Sequence, residues 1–174
     1  MVLSACSESK NSVPSLPKSM CWGAFTGNST ASLLPHGGKA ELVNKRPFDV
    51  FGANPVTYCT LYIDGDARFV AWAERRRSGK GTEWNGWALH RGTRIAAGDE
   101  GFVWNGGAGS VFLCERPDLP RNLALPKSAK YVELELTANR APETAESRKT
   151  LTTVMQQYVD FAKRELKCAN GTAP

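Results

Sequence analysis

Between Tyr131 and Thr137 apolar and polar residues alternate without a break, and from Ser147 to Lys167 the repeat changes to three and four residues. A chain that ends this way must set one face of a β-strand and one stripe of a long helix on a common core. In the strand Val132, Leu134 and Leu136 point one way and Tyr131, Glu133, Glu135 and Thr137 the other, so one side of its sheet meets water or a polar layer. In the helix the stripe is Leu151, Val154, Met155, Tyr158, Val159, Ala162 and Leu166, and each buried aliphatic there contributes about 1.5–3 kcal/mol. Glu143 and Glu146 near its start and Lys163, Arg164 and Lys167 at its end suit the helix dipole.

Upstream, Thr57 to Ile63 alternates, Asp64-Gly65 turns the chain and Ala67 to Ala73 resumes the alternation, which is the pattern of a β-hairpin. A second hairpin is predicted from Gly101–Trp104 and Ser110–Glu115, joined through the glycine-rich stretch 105–109. Lys39 to Val43 reads as a strand, and Asn28-Ser29-Thr30 open a helix of one or two turns that Pro35 stops. Glu74 to Gly81 reads as a solvated hairpin end, Glu83 to His90 as a loop, and Pro117, Pro120 and Pro126 mark a surface excursion. The order predicts an α+β fold, an antiparallel sheet flanked by a short N-terminal and a long C-terminal helix. Strand and helix units do not alternate, which argues against a doubly wound nucleotide-binding fold. The 174 residues make one domain: 1–19 a lipobox remnant and tether, 20–170 the domain, 171–174 a tail. No apolar run approaches the roughly 20 residues of a membrane-spanning helix.

Five cysteines occur. Leu3-Ser4-Ala5-Cys6 matches the bacterial lipobox, whose Cys becomes lipid-modified after cleavage ahead of it, and a Ser/Pro-rich polar stretch follows. A lipobox normally follows a basic segment and an apolar run of about 7–15 residues. Only five residues precede Cys6, so either a longer native reading frame supplies that signal or the match is accidental. Cys21, Cys59, Cys114 and Cys168 are then an even set for an oxidising compartment, and the expected location is the outer face of the cell membrane. The bland alternative is a cytosolic protein with buried free thiols.

Cys21-Trp22-Gly23, Leu33-Leu34-Pro35 at the end of the short helix, Cys59 inside the first hairpin, Gly98-Asp99-Glu100-Gly101 ahead of a strand and a last helix ending in Cys168 carry a resemblance. From Cys21 to Cys168 the chain resembles secreted actinobacterial lipoproteins of unknown function. These are similar in pattern to the extracytoplasmic sensor domains of certain actinobacterial Ser/Thr kinases, whose fold is of the PsbP type. The resemblance implies a PsbP-like sandwich stapled by disulfides, with no enzyme activity. The chain departs from the pattern in its Trp84/Trp87 insertion and in having no kinase. Four cysteines allow three connectivities. The expected one is Cys21 with Cys59 and Cys114 with Cys168, because it staples the N-terminal segment to the first hairpin and the long helix to the second.

Chemistry is sparse. Two histidines, His36 and His90, exclude a metal site built on several, and no metal or cofactor is expected. There is no GxSxG and no Walker loop. His36-Gly37-Gly38 reads as a helix exit rather than an oxyanion loop, and Asp64-Gly65-Asp66 as a turn rather than a calcium loop. Glu133 and Glu135 stand about 6–7 Å apart on one strand face, a spacing a glycosidase uses, though alternating Glu is far commoner as solvated surface. With 22 Lys+Arg against 17 Asp+Glu the net charge of +5 favours anionic surroundings without naming them.

One cluster stands out: Arg75, Arg76, Arg77 and Lys80 beside Trp84 and Trp87, cations next to rings. Its competing reading is solvated arginines and core tryptophans. The leading expectation is a non-catalytic envelope lipoprotein that binds or senses an envelope polymer, a small ligand or a partner protein through that cluster. It touches the membrane only through its lipid anchor and binds no nucleic acid. A small secreted hydrolase and a nucleic-acid binder using the basic loop are the rival classes.

Overall fold

The computed structural model describes residues 12–77, 79, 92–118 and 130–169. Two short strands, β1 (Ser19–Met20) and β2 (Phe25–Thr26), pair around a tight turn at Cys21–Gly23. Helix α1 (Gly27–Thr30) runs into one 3-10 turn at Ala31–Leu33. Its cap is Thr26, whose hydroxyl accepts from the Ser29 N–H while the Ser29 hydroxyl accepts from the Thr26 N–H, so the helix starts ahead of Asn28. Then come β3 (Ala40–Asn44), β4 (Val56–Ile63), β5 (Asp66–Arg76), β6 (Thr93–Arg94), β7 (Glu100–Trp104), β8 (Gly107–Leu113), β9 (Tyr131–Ala138) and helix α2 (Ala145–Glu165).

β3 to β9 form one antiparallel sheet in the order β3-β4-β5-β9-β8-β7-β6. Two three-stranded meanders therefore lie side by side with the last strand slotted between them. At the first hairpin Asp64 and Gly65 both take positive φ, 52° and 86°, the pair of left-handed residues that matches the twist of a two-residue turn. The second turn is shorter than expected: only Asn105 and Gly106 lie between the strands, and Gly107 to Gly109 belong to β8. Their glycines serve close approach and not the turn, since a Cβ on Gly107 would stand 2.5 Å from Trp104 Nε1 and 2.8 Å from the Leu136 carbonyl oxygen.

One face of the sheet carries the core. Cys59, Leu61, Ile63, Phe69, Ala71, Val132, Leu134, Leu136 and Phe112 are buried there with Leu151, Val154, Met155 and Tyr158 of α2. The helix lies over β8 and β9. Thr144 caps it by accepting from the Ser147 N–H, which is why it begins ahead of Ser147. The Tyr158 ring packs 5.2 Å from Phe25 and 6.0 Å from Phe48, joining the N-terminal segment to the helix. The α+β layout expected from periodicity is the one observed.

The cysteine pairing is Cys21–Cys59 and Cys114–Cys168, which places the domain in an oxidising compartment, outside the reducing cytosol. Next to the second bridge the Ala169 N–H donates to the Glu115 carbonyl at 2.8 Å, so the end of α2 is tied to the end of β8 twice. Cys6 lies outside the described residues. The part of the tether that is described does not hang free: Val13 and Leu16 pack against the core, Pro14 is buried, and the Ser12 carbonyl accepts from the Gly37 N–H. Its spaced apolar residues find partners between its serines. Among the described residues no helix is long and apolar enough to cross a membrane.

Candidate functional site on the open sheet face

Strand alternation sends the three consecutive arginines to three environments. Arg75 faces the core side, its guanidinium carbon 5.9 Å from the centre of the Phe51 ring. Burial lowers its pKa from the usual arginine value, and Asp49 opposes that shift. Arg76 points to the other face and Arg77 is exposed. The first three residues of the expected solvated hairpin end are strand: β5 continues through Arg76, held by Glu74–Glu133, Arg75–Val132 and Arg76–Tyr131 pairing with β9. Lys80, Trp84 and Trp87 lie outside the described residues.

The open face gathers what the helix side leaves out. Between β5 and β9 runs a groove whose rungs are Val70 opposite Thr137, Trp72 opposite Glu135 and Glu74 opposite Glu133. With Arg76 at its head these seven residues line a cavity of about 300 Å³. The rung of two carboxylates is the unusual one, because like charges directly opposite destabilise a sheet. Arg76 compensates it. Its Nε donates to Glu133 Oε2 at 2.6 Å and its Nη1 lies 3.3 Å from Glu74 Oε2. The side chain of Glu133 is only 2% exposed, so this ion pair is part of the floor and not a surface contact. Glu135, half-buried, accepts from the Thr137 hydroxyl at 3.4 Å.

The flanks differ. On one side Tyr58 stands opposite Trp72 and is 43% exposed. On the other, Gly107 and Gly109 of β8 lie opposite Thr137 and Glu135 while Val111 stands opposite Glu133, so β8 is bare beside Glu135 and raises an apolar side chain beside Glu133. On β7 Phe102 and Trp104 are buried as a cluster separate from the main core, with the Arg94 guanidinium carbon 5.0 Å from the Phe102 ring centre. The face thus offers a narrow polar groove between aromatic residues.

A second cavity, about 340 Å³, lies at the end of α2 between Asp160, Lys163, Arg164, Lys167 and Cys168. Its cations sit where the helix dipole favours them for structural reasons. Lys163 lies over Phe112 and Arg164 over Phe161. The His36–Gly38 loop is accounted for as well: the Gly38 and Lys39 N–H groups donate to the Asp64 carboxylate, so that carboxylate holds the position an oxyanion would need. Among the described residues no group of three or more His, Cys, Asp or Glu is arranged to hold a metal. Comparison with family models, curated proteins and solved structures returned no match, so a functional reading rests on this geometry.

Of the basic and aromatic cluster singled out by sequence, Arg76 is the one described residue that lines the groove. Trp72, Glu74 and Thr137 were missed as site residues, and Glu133 and Glu135 were read as solvated surface. The legible hint was the polar face of Tyr131 to Thr137. Its strand partner was not visible.

Proposed function

We propose that the protein is a non-catalytic binding domain of the cell envelope, tethered by a lipid on Cys6, whose ligand site is the groove between β5 and β9. The observation that carries this reading is the buried Glu133–Arg76 pair at the end of a rung of opposed carboxylates, in a cavity that opens on the face away from the helix. A face that served only solubility would gain nothing from burying that charge. The two disulfides support the compartment, and the lipobox-like Leu3-Ser4-Ala5-Cys6 supports the anchor. The Ser12 end of the described chain packs beside Gly37, next to the β4–β5 turn, while Arg76 lies at the far end of β5. A chain anchored at Cys6 therefore presents the head of the groove away from the membrane. Hydrolysis is the second reading that these carboxylates favour. Against it, the Glu133 carboxylate is engaged by Arg76 instead of standing ready to deliver a proton.

The test is sedimentation of the oxidised protein with isolated envelopes of the producing cell. Trp72→Ala and Glu135→Ala should lower retention at least five-fold, while Arg77→Glu leaves it unchanged. Retention that ignores both groove variants and collapses with Arg77→Glu returns the site to the basic cluster.

A further inference from the structure

The C-terminal end of α2 carries an excess of positive charge. The helix ends beside β8, where Cys168 bridges to Cys114, at the end of the sheet where Tyr131 opens β9 and Arg76 closes β5. Several cations on the helix side of that end are balanced: Arg116 pairs with Asp118, Lys130 with Glu115, and the Asp49 carboxylate offsets Arg75. Lys163, Arg164 and Lys167 line the cavity of about 340 Å³ with Asp160 and Cys168, and Arg164 lies 3.7 Å from Glu165. Lys45 and Arg46, both exposed, precede Phe48, whose ring packs 5.0 Å from Phe161 and ties their segment to the helix. These five cations against Asp160 and Glu165 leave a charge of +3. At the opposite end of the sheet Lys39 pairs with Glu41 and Arg68 with Asp66. The helix dipole accounts for cations in the last turn. It does not call for a cavity among them, nor for further cations on the neighbouring segment.

The donors set the class of anion. Lys163 and Lys167 lie one turn apart, about 6 Å along the helix, and their ammonium groups are point charges of the kind that hold phosphate. A carboxylate is held best by a guanidinium fork, and Arg164 shares its fork with Glu165. The rings beside the cavity, Phe112 and Phe161, are buried beneath Lys163 and Arg164, so they give bases no platform to stack on. Cations spread along the helix reward repeated charge over a single ion. The volume lies within the roughly 300–1,000 Å³ of ligand cavities, room for a phosphate with the polyol or sugar attached to it. Under the anchored reading above, this end is turned away from the membrane, towards envelope polymer and not lipid headgroups. We infer that the end of α2 is a second binding surface, separate from the groove, for a phosphodiester-linked polyol or sugar polymer of the envelope. Lys163, Arg164 and Lys167 hold its phosphates, and Lys45 and Arg46 strengthen the attracting field without lining the cavity.

The test is fluorescence anisotropy of end-labelled poly(glycerol phosphate) titrated with the oxidised full chain. Unlabelled polymer, polygalacturonate, a thymidine oligonucleotide and phosphatidylglycerol vesicles serve as competitors at matched charge. The expected result is saturable binding whose affinity falls at least ten-fold between about 50 and 200 mM salt, displaced best by the unlabelled polymer. Lys163→Gln combined with Lys167→Gln should lose at least a further ten-fold. Lys39→Gln combined with Lys149→Gln makes the same change of net charge at exposed positions of the opposite end and should stay within two-fold, as should Trp72→Ala, all with unchanged circular dichroism spectra. Absence of binding at about 50 mM salt, where screening is weak, overturns the inference. So does an equal loss in the two lysine pairs, which reports attraction by net charge alone. Stronger displacement by polygalacturonate, oligonucleotide or vesicles gives the surface to another partner and rejects the phosphate polymer. Binding lost in Trp72→Ala moves the polymer to the groove, whereas failure of the lysine arm alone leaves the groove reading standing.

Discussion

Glu133 takes its cation from a diagonal neighbour: it lies directly opposite Glu74 on β5, yet its Oε2 accepts from Arg76 Nε, two residues further along that strand, at 2.6 Å. The same guanidinium reaches Glu74 at 3.3 Å. Arg76 therefore bridges the opposed glutamates, and their placement turns a sheet face into a groove.

Removing Arg76 takes an ionic partner from a carboxylate whose side chain is 2% exposed. Arg76→Ala should cost about 3–5 kcal/mol, the range for breaking a buried pair. Arg77→Ala, at an exposed position, should stay within about 0.5 kcal/mol. Urea unfolding of the two variants side by side checks this. Equal midpoints would place Arg76 among solvated surface charges.

The bridges should differ in accessibility. Cys21 and Cys59 are fully buried, whereas Cys168 is only partly covered and lines the basic cavity at the end of α2. Under limiting reductant the Cys114–Cys168 bridge should open first, giving a species alkylated at those two residues alone by peptide mass spectrometry. The bridges span 38 and 54 residues, for which loop-closure entropy contributes about 4 kcal/mol each. Losing both should unfold the domain.

Tyr158 is fully buried and its hydroxyl finds no hydrogen-bond partner among the described residues. Tyr158→Phe should thus raise stability by about 1 kcal/mol. Desolvation lifts the pKa of this phenol well above its ordinary value of 10.0. Above that pH the unfolded chain releases a proton that the folded chain keeps, so the wild type loses stability as pH rises. The advantage of the Phe variant, read as the difference in Tm, should be level below pH 10 and widen above it. A constant difference would contradict the burial of the hydroxyl.

The strands and long helix were legible because their side-chain periods are local properties. Cys59, Leu61 and Ile63 alternate within seven residues, and Leu151 to Leu166 repeat within five turns. The site was not legible for the opposite reason. Glu74 and Glu133 are 59 positions apart and meet because β9 inserts between two meanders, a pairing that no short window contains. Charge misled at Arg75–Arg77: three cations look solvated, but a strand must send neighbours to opposite faces, so one arginine went to Phe51 and the next to the glutamates. At Gly107 glycine misled, since its missing side chain admits the Trp104 indole and does not turn the chain.

The account stands on one claim, that an envelope ligand enters the groove beside Trp72. The direct measurement is the indole N–H resonance of Trp72, assigned among the five tryptophans by its disappearance in Trp72→Phe. It is followed while ¹⁵N-labelled oxidised protein is titrated with a soluble enzymatic digest of the producing cell's envelope. The account predicts a saturable shift at Trp72 with Trp22 unmoved. A Trp72 resonance that stays in place while other indoles shift, or that does not move at any concentration of digest, would contradict it.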